Sequence, residues 1–141
     1  MSETLPRLAL RILSAFLSVA VLIQFFIAGM AAMTNPEWWT YHSAWIGIFQ
    51  WLAVPLPILA FLVGRPRYWR TAFATIPMLQ VALQYFLAHR ALEGRLTTGI
   101  GLHAVNGALL LMVATFLAIG CADRKMYRQD GSHDGRQGRG P

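Results

Sequence analysis

The chain has little charge and almost no cysteine. Of its 141 residues, 13% are charged and one, Cys121, is a cysteine. Soluble domains usually carry about 25% charged residues, so this composition is poorly suited to an aqueous globular fold. A single cysteine cannot close an intramolecular disulfide or supply a thiolate metal cluster. These shortages exclude a soluble enzyme, a disulfide scaffold and a mainly disordered chain.

Acidic residues are scarce as well. The chain has 6 Asp and Glu residues, and Glu37 is the only one that falls in the four apolar runs of the sequence. Inside a membrane, therefore, neither a Ser-His-Asp triad nor a pair of catalytic carboxylates can form. The sequence also lacks a Walker or GxGxxG segment. A stand-alone hydrolase or nucleotide-dependent enzyme is not expected, and redox or binding chemistry remains.

Hydrophobic sequence is abundant and is arranged in four long runs. Hydrophobic residues make up 56% of the chain, and each run approaches the ~20 residues that a helix needs to cross a bilayer. We predict an all-α fold, an up-down bundle of four transmembrane helices. The membrane domain is predicted to cover residues 1–122, with helices over 8–33, 36–63, 69–88 and 98–120. Residues 123–141 are predicted to be a basic, disordered tail in the cytoplasm.

Local signals mark the ends of the helices and their irregularities. Asn35 is a predicted N-cap, because Pro36 follows it at the first helical position. Pro55 and Pro57 lie in the second helix and Pro77 lies in the third. Each proline removes a backbone donor, so we predict kinks at these points.

The basic residues predict how the helices are oriented. Arg90 and Arg95 lie in the connection between the third and fourth helices. All other Lys and Arg residues lie near the N-terminus, between the second and third helices, or in the tail. Because basic connections stay in the cytoplasm, both termini are predicted to be cytoplasmic. Topology thus explains the formal charge of +6, and nucleic-acid binding is not expected.

Several polar side chains lie within or at the ends of the apolar runs, where each is costly and invites a functional hypothesis. They are Gln24, His42, Gln50, Gln80, Gln84, His89, His103 and Asn106. With cytoplasmic termini, the three histidines fall in the outer half of the membrane or at its outer surface. His42 comes six residues after Pro36, and His103 comes five after Thr98. At a rise of ~1.5 Å per residue, the two imidazoles lie within about one turn of the same depth.

This match in depth is the basis of the leading functional hypothesis. In an up-down bundle the second and fourth helices lie diagonally, with axes roughly 11–14 Å apart when neighbouring axes are ~8–10 Å apart. On this estimate the rings are too far apart to share a small ion, whereas a haem held by one imidazole from each side fits. The sequence thus predicts one b-type haem near the outer face, bound by His42 and His103. Its predicted role is electron transfer with a quinol or a partner subunit.

Small and polar residues at a similar height complete the predicted cofactor site. Gly29, Gly47 and Gly107 are expected to give a macrocycle room. Arg90 and Arg95 are expected to meet carboxylate groups at the outer surface. The further candidate cofactor-binding residues are polar side chains on three helices: Gln24, Gln80 and Asn106.

Three other interpretations of these residues stay open. His89 joins His42 and His103 in a candidate zinc or copper site on the outer face. Glutamines on the first and third helices line a candidate cavity for a quinone or another small molecule: Gln24, Gln80 and Gln84. In the remaining interpretation no cofactor binds, and the polar residues only join the helices of an accessory or scaffold protein.

Short segments on all four predicted helices resemble those of a known family. They are Gln24-Phe25-Phe26-Ile27-Ala28-Gly29, His42 with Gly47, Leu79-Gln80, and Leu102-His103-Ala104-Val105-Asn106. As a set, over roughly residues 8–118, they resemble a family of small, uncharacterised four-helix membrane proteins of bacteria. The resemblance implies a multi-pass protein of the bacterial inner membrane, in contact with the lipid bilayer, and it implies no established activity.

A more remote resemblance concerns the histidines. Histidines on different helices of a small bundle resemble the four-helix membrane b-type cytochromes, which exchange electrons with quinones. Members of that class with two haems need two pairs of membrane histidines. This chain has no histidine in the inner half of its predicted helices, so the resemblance implies at most one haem, near the outer face. Electron transfer across the membrane by this protein alone is not implied.

Overall fold

The fold consists of helices and short connections. A computed structural model of the protein describes residues 4–63 and 67–120, and this part of the chain contains no strand. The helices are α1 (Thr4–Met33), α2 (Trp38–Phe49), α3 (Pro55–Leu62), α4 (Arg67–Leu92) and α5 (Gly99–Ala118), with a 3-10 turn at Gln50–Ala53. The prediction of a disordered tail over residues 123–141 lies outside the described residues.

Four stretches of helix are long and apolar enough to cross a membrane. These spans are Leu5–Met33, Trp38–Leu62, Tyr68–Leu92 and Gly99–Ala118. The second span consists of α2, the 3-10 turn and α3 in succession. The prediction of an all-helical fold with four helices long and apolar enough to cross a membrane is therefore confirmed for the described residues. The up-down topology and the sides on which the termini lie stay predictions.

The four spans form a ring in chain order. α1 packs against the second span and against α5, and α4 packs against the same two elements. The second span and α5 therefore lie diagonally across the bundle from one another. Short connections between antiparallel neighbours favour this arrangement.

Small residues hold the spans together in the half of the bundle that contains α3. Ala53, Ala60, Ala74 and Ala114 come from three different spans, and each is at most 1% exposed. Alanine at a helix interface permits close approach of the backbones, and in lipid this van der Waals contact is a main source of helix association. The fully buried Leu17 of α1 lies in the same core.

Large apolar side chains cover the outside of the bundle. On α1, for example, Phe16 is 62% exposed and Phe26 is 61% exposed. Large side chains on the other three spans are exposed to a similar extent: Trp51, Leu79 and Ile100. A soluble monomer rarely exposes apolar patches of this extent. This surface fits contact with lipid tails.

The second span is not one continuous α-helix. α2 ends at Phe49, and the 3-10 turn leads to Pro55, where α3 begins. Pro55 has no N–H to donate, and its ring clashes with an ordinary helical turn before it. The irregularity predicted from Pro55 and Pro57 thus lies directly before Pro55. By contrast, α4 continues through Pro77.

Several helix ends differ from the prediction: α1 begins at Thr4 rather than at residue 8, and the ends of α2 and α4 differ for local reasons. α2 begins at Trp38 because the preceding turn has a 3-10 pattern, in which the Trp38 N–H bonds to the carbonyl of Asn35 at 3.1 Å. α4 extends one turn further than predicted because its stop signal is Gly94, with a φ of 69°. The Arg95 N–H bonds back to the carbonyl of Arg90 at 3.0 Å, which is part of a Schellman motif.

Candidate functional site

Six polar side chains inside the bundle form a connected group, which we call the polar layer. All four spans contribute to it, with one or two residues each. Its members are Gln24, His42, Gln80, Gln84, His103 and Asn106. Polar groups are costly among membrane helices, and they are stable there when they bind one another or a ligand.

The imidazoles of His42 and His103, here called the histidine pair, meet across the diagonal of the bundle. His42 lies on α2 and His103 lies on α5. Their ring centroids are 6.2 Å apart, and the ring planes are inclined by 46°. Two imidazoles on opposite sides of one metal ion, with nitrogens about 2.0–2.1 Å from it, have ring centroids roughly 6 Å apart, whereas in a tetrahedral site the centroids are roughly 5 Å apart. By this distance alone, the two rings are close enough for both to reach one metal centre.

This distance corrects one step of the sequence argument. The estimate of roughly 11–14 Å refers to the helix axes, and it led us to expect that the rings were too far apart to share a small ion. Each imidazole reaches inward from its helix, so the rings come much closer than the axes do. At 6.2 Å the distance no longer excludes a shared small ion, so the number of available donors has to distinguish a haem iron from a bare metal ion.

α4 fixes the orientation of the His103 ring. The Nδ1 atom of His103 lies 3.2 Å from the main-chain carbonyl oxygen of Gln84. A carbonyl oxygen only accepts, so Nδ1 carries the proton and donates it to this bond. In the neutral ring, Nε2 then keeps its lone pair. Metal-binding histidines almost always have this arrangement, in which the other ring nitrogen donates to a carbonyl or carboxylate.

His42 is positioned by α1 and by its own helix. The side-chain Nε2 of Gln24 donates to the main-chain carbonyl of His42 at 3.1 Å. The ring of Trp39 meets the imidazole edge to face, with centroids 5.3 Å apart. The Nδ1 atom of His42 is buried and has no hydrogen-bond partner. A buried nitrogen in this state is unfavourable, and a ligand that uses the ring would relieve the cost.

Three glutamine side chains of the polar layer also have an unpaired atom. The Oε1 atoms of Gln24, Gln80 and Gln84 are buried and lack a hydrogen-bond partner. Gln80 is 9% exposed, and its main-chain carbonyl already accepts a bond of 2.8 Å from Nδ2 of Asn106. An unsatisfied buried acceptor costs about 1–3 kcal/mol. The polar layer thus contains three buried side-chain oxygens without a hydrogen-bond partner.

The three glycines predicted to give room have different surroundings. A Cβ atom on Gly107 would lie 3.0 Å from Nε2 of Gln84 and 3.3 Å from Cζ of Phe25. A Cβ atom on Gly29 or Gly47 would meet nothing within 4 Å. Gly107 therefore permits close packing of α1, α4 and α5 within the polar layer, whereas the other two glycines border open space.

His89, Arg90 and Arg95 lie apart from the polar layer, around the carboxylate of Glu93. Nε2 of His89 is 3.6 Å from this carboxylate, Nη1 of Arg90 is 3.3 Å from it and Nε of Arg95 is 3.4 Å from it. The His89 side chain is 81% exposed. The structure does not bring His89 to the histidine pair, so the candidate three-histidine metal site is not assembled. Within the described part of the chain, no group of three or more His, Cys, Asp or Glu could hold a metal ion.

Two aromatic contacts of the site were not anticipated from the sequence. Trp39 packs on His42, and Phe25 borders Gly107. Trp39 precedes His42 by three residues, so helical spacing was an available signal for that contact. Phe25 lies on α1 and Gly107 lies on α5, and no local sequence pattern predicts a contact between residues of different helices.

Comparisons with known proteins give a match to one protein family. A family model described as a family of unknown function (DUF6220) matches residues 24–92, a stretch that contains Gln24, His42 and Gln84 and ends before His103. No curated protein matches the chain. No solved structure matches it. These comparisons show no relationship to the b-type cytochromes. Over residues 24–92 the chain is thus similar to a family of unknown function, DUF6220.

Proposed function

We propose that this protein is a small multi-pass protein of the bacterial inner membrane that binds one b-type haem between α2 and α5. His42 and His103 would hold the haem, and its role would be electron transfer with a quinol or a partner subunit. The proposal is supported by the 6.2 Å between the two ring centroids. The bond from Nδ1 of His103 to the main-chain carbonyl of Gln84 is a second argument, because metal-binding histidines almost always donate their other ring N–H to such a partner.

The number of donors favours haem over a bare metal ion. Zinc sites usually take three or four protein ligands. The histidine pair supplies two nitrogen donors, and His89 is engaged with Glu93 at the end of α4. A porphyrin would supply the other donors to the iron, and His42 and His103 would supply the remaining two. The donor set that the structure offers therefore fits haem iron.

The surrounding residues hold the ligands in place. When bound, haem supplies a centre that gains and loses one electron. The carbonyl of Gln84 fixes the tautomer of His103 and makes its Nε2 atom a stronger donor. The side chain of Gln24 ties α1 to α2 at the level of His42. These few polar groups are the local influence that the described residues supply on a reduction potential.

Absorption spectroscopy of the full chain tests this proposal. The protein, purified in detergent from haem-replete bacteria, should show a Soret band and an α band that sharpens on reduction. Chemical analysis should find about one haem and about one iron atom per chain, the amount that one pair of axial ligands holds. A colourless preparation would contradict the proposal. A stoichiometric metal without porphyrin would contradict it too, and would indicate a bare ion.

The proposed topology places both termini in the cytoplasm. Arg7, Arg11 and Arg70 lie at one end of the described bundle, and Arg90 and Arg95 lie at the other, where Glu93 offsets part of their charge. The further basic residues of the sequence, which are Arg65, Arg67 and those of the tail, strengthen the bias toward the first end. The positive-inside rule then places the Glu93 end outside.

Cysteine labelling in intact cells tests this orientation. In a Cys121→Ser background, an Arg95→Cys variant should react with a membrane-impermeant maleimide added outside. A Ser132→Cys variant in the same background should react only after the membrane is permeabilised, because the tail lies inside. The opposite labelling pattern would show that the protein is inverted.

A further inference from the structure

The half of the second span that carries His42 is held mainly by one neighbouring helix. α2 packs against α1 and against the 3-10 turn that follows it, whereas α3 packs against both α1 and α4. Phe49, at the end of α2, is the only residue of this helix that is buried. The turn before Pro55 also interrupts the helical hydrogen bonds between α2 and α3. The contacts with α1 therefore set the position of α2.

Two side-chain hydrogen bonds join α1 to α2, and we call them the α1–α2 clamp. Nε1 of Trp45 donates to the main-chain carbonyl of Ala20 at 2.9 Å. Nε2 of Gln24 donates to the main-chain carbonyl of His42 at 3.1 Å. The two bonded positions are four residues apart on α1 and three residues apart on α2. The bonds are thus about one helical turn apart along each helix, and each helix supplies one donor.

We infer that Trp45 is a positioning residue for the proposed haem site, because its bond to α1 completes the clamp that keeps His42 opposite His103. The inference rests on the proposed function for the identity of the ligand, whereas the clamp itself is independent of haem. A single bond between two helices leaves one helix able to tilt and rotate about it. Two bonds one turn apart oppose both movements, and Trp45 supplies the second bond.

The position of α2 matters because the His42 ring has little support of its own. Its Nδ1 atom has no hydrogen-bond partner, so no bond from another helix orients that side of the ring. The Cα atoms of a helix lie about 2.3 Å from its axis, and a ring that extends beyond them moves further than the backbone when the helix rotates. The residues of a binding site work when they are held within about 0.5 Å of their geometry. Limiting the rotation of α2 therefore limits the displacement of this ligand.

The surroundings of Trp45 suit this role. The side chain is half-buried, and its ring packs on Phe49 with centroids 6.1 Å apart. A buried indole N–H usually finds a hydrogen-bond partner, which here is the carbonyl of Ala20. Ala20 lies inside α1, so the same carbonyl also accepts the helical N–H of residue 24. Trp45→Phe removes the donor, keeps an aromatic ring and leaves this carbonyl bonded, so the variant should fold.

Haem titration of the full chain in lipid nanodiscs tests the effect on the ligand. Trp51→Phe is the matched control, because Trp51 lies on the same span and is 67% exposed. Trp45→Phe should bind haem about tenfold more weakly than the parent, the effect of losing support around a ligand, and the control should keep the parental affinity. In reduced Trp45→Phe, carbon monoxide should shift the Soret band, because a haem iron held by one histidine has an open position.

Distances measured by electron paramagnetic resonance test the clamp without haem. In a Cys121→Ser background, nitroxide labels on Thr40→Cys and Val105→Cys report the distance between α2 and α5. Labels on Leu22→Cys and Val105→Cys report the distance between α1 and α5, and all three labelled positions are exposed. Trp45→Phe should broaden the first distribution and shift its mean by about 1–2 Å, the size of a helix shift at an interface. The second distribution should not change, because α1 packs directly on α5.

The two measurements together decide the inference. An unchanged distance between α2 and α5 in Trp45→Phe would overturn it, whatever the haem content. A broadened distribution with parental haem affinity would overturn it too, because the clamp would then not position the ligand. A parent protein that binds no haem would refute the proposed function, while broadening in its Trp45→Phe variant would still support the clamp. If Trp45→Phe does not fold, Gln24→Leu removes the other bond of the clamp, and the same results decide.

Discussion

Replacing either His42 or His103 with alanine should remove essentially all haem from a protein that binds it as proposed. The two rings are 6.2 Å apart and are the only paired imidazoles in the described part of the chain. Loss of a residue that merely supports a metal ligand typically costs 10–100-fold in affinity, so loss of a ligand should exceed that. Haem per chain, measured from the reduced absorption spectrum, should fall below about a tenth of the parent value.

His89→Ala is the matched control for these variants. The His89 side chain is 81% exposed and lies 3.6 Å from the carboxylate of Glu93, away from the histidine pair. This variant should therefore keep the full haem content and spectrum. A His42→Ala or His103→Ala protein that retains parental haem would contradict the assignment of the ligands.

A ligand exchange separates coordination from a purely structural role. Methionine opposite histidine raises the reduction potential of a haem relative to two histidines. His103→Met should therefore bind haem with a more positive midpoint potential, measured by redox titration of the α band. If His103 only supported the fold, a haem retained in the variant would keep the parental potential. This test does not depend on the alanine variants being stable.

The fold could be predicted because a membrane leaves few choices for an apolar chain. A helix satisfies its own backbone in lipid, so four apolar runs imply four helices. Helix ends were harder, because they depend on single local bonds. The apolar pattern of the sequence stops at the polar residues His89 and Arg90. The signal that ends α4 is Gly94, with a φ of 69°, so the helix continues beyond the point at which the pattern stops.

Arg70 shows the limit of counting charges along a sequence. As a basic residue between two apolar runs, it contributes to the topology prediction like any loop charge. In the structure it is 5% exposed and donates to the main-chain carbonyl of Val63, at the end of α3. That carbonyl has no helical partner beyond the end of its helix. The sequence has no signal for this contact, because it depends on how α3 and α4 pack.

The candidate site was predictable in position and less so in detail. Counting residues from the predicted helix starts placed His42 and His103 at a similar depth. The order of the helices predicted that the two histidines lie on diagonally opposite spans. The ring separation could not be derived, because it depends on how far each side chain reaches from its helix. The bond between His103 and the carbonyl of Gln84 also depends on the rotation of α5 against α4. Such rotations are set by packing over the whole interface.

Gly107→Leu should nearly abolish haem binding without touching either ligand. A Cβ atom on Gly107 would already lie 3.0 Å from Nε2 of Gln84 and 3.3 Å from Cζ of Phe25. The larger leucine side chain must displace the end of the Gln84 side chain and the ring of Phe25. A shift of α4 that accompanies this displacement moves the main-chain carbonyl of Gln84, which bonds to His103. Overpacking of this kind costs about 1–3 kcal/mol, and disturbing the support of a ligand costs a further 10–100-fold in affinity. Haem per chain should fall to about a tenth or less.

Gly101→Leu adds the same bulk to the same helix and is the control for Gly107→Leu. Gly101 is exposed, and a Cβ atom there would meet nothing within 4 Å. This leucine should contact lipid and leave the haem content at the parental level, although it lies closer in the chain to His103 than Gly107 does. Equal haem content in the two leucine variants would show that packing around Gly107 does not position the ligand. A loss confined to Gly107→Leu would instead show that α1 and α4 hold His103 in place through the contacts of Phe25 and Gln84.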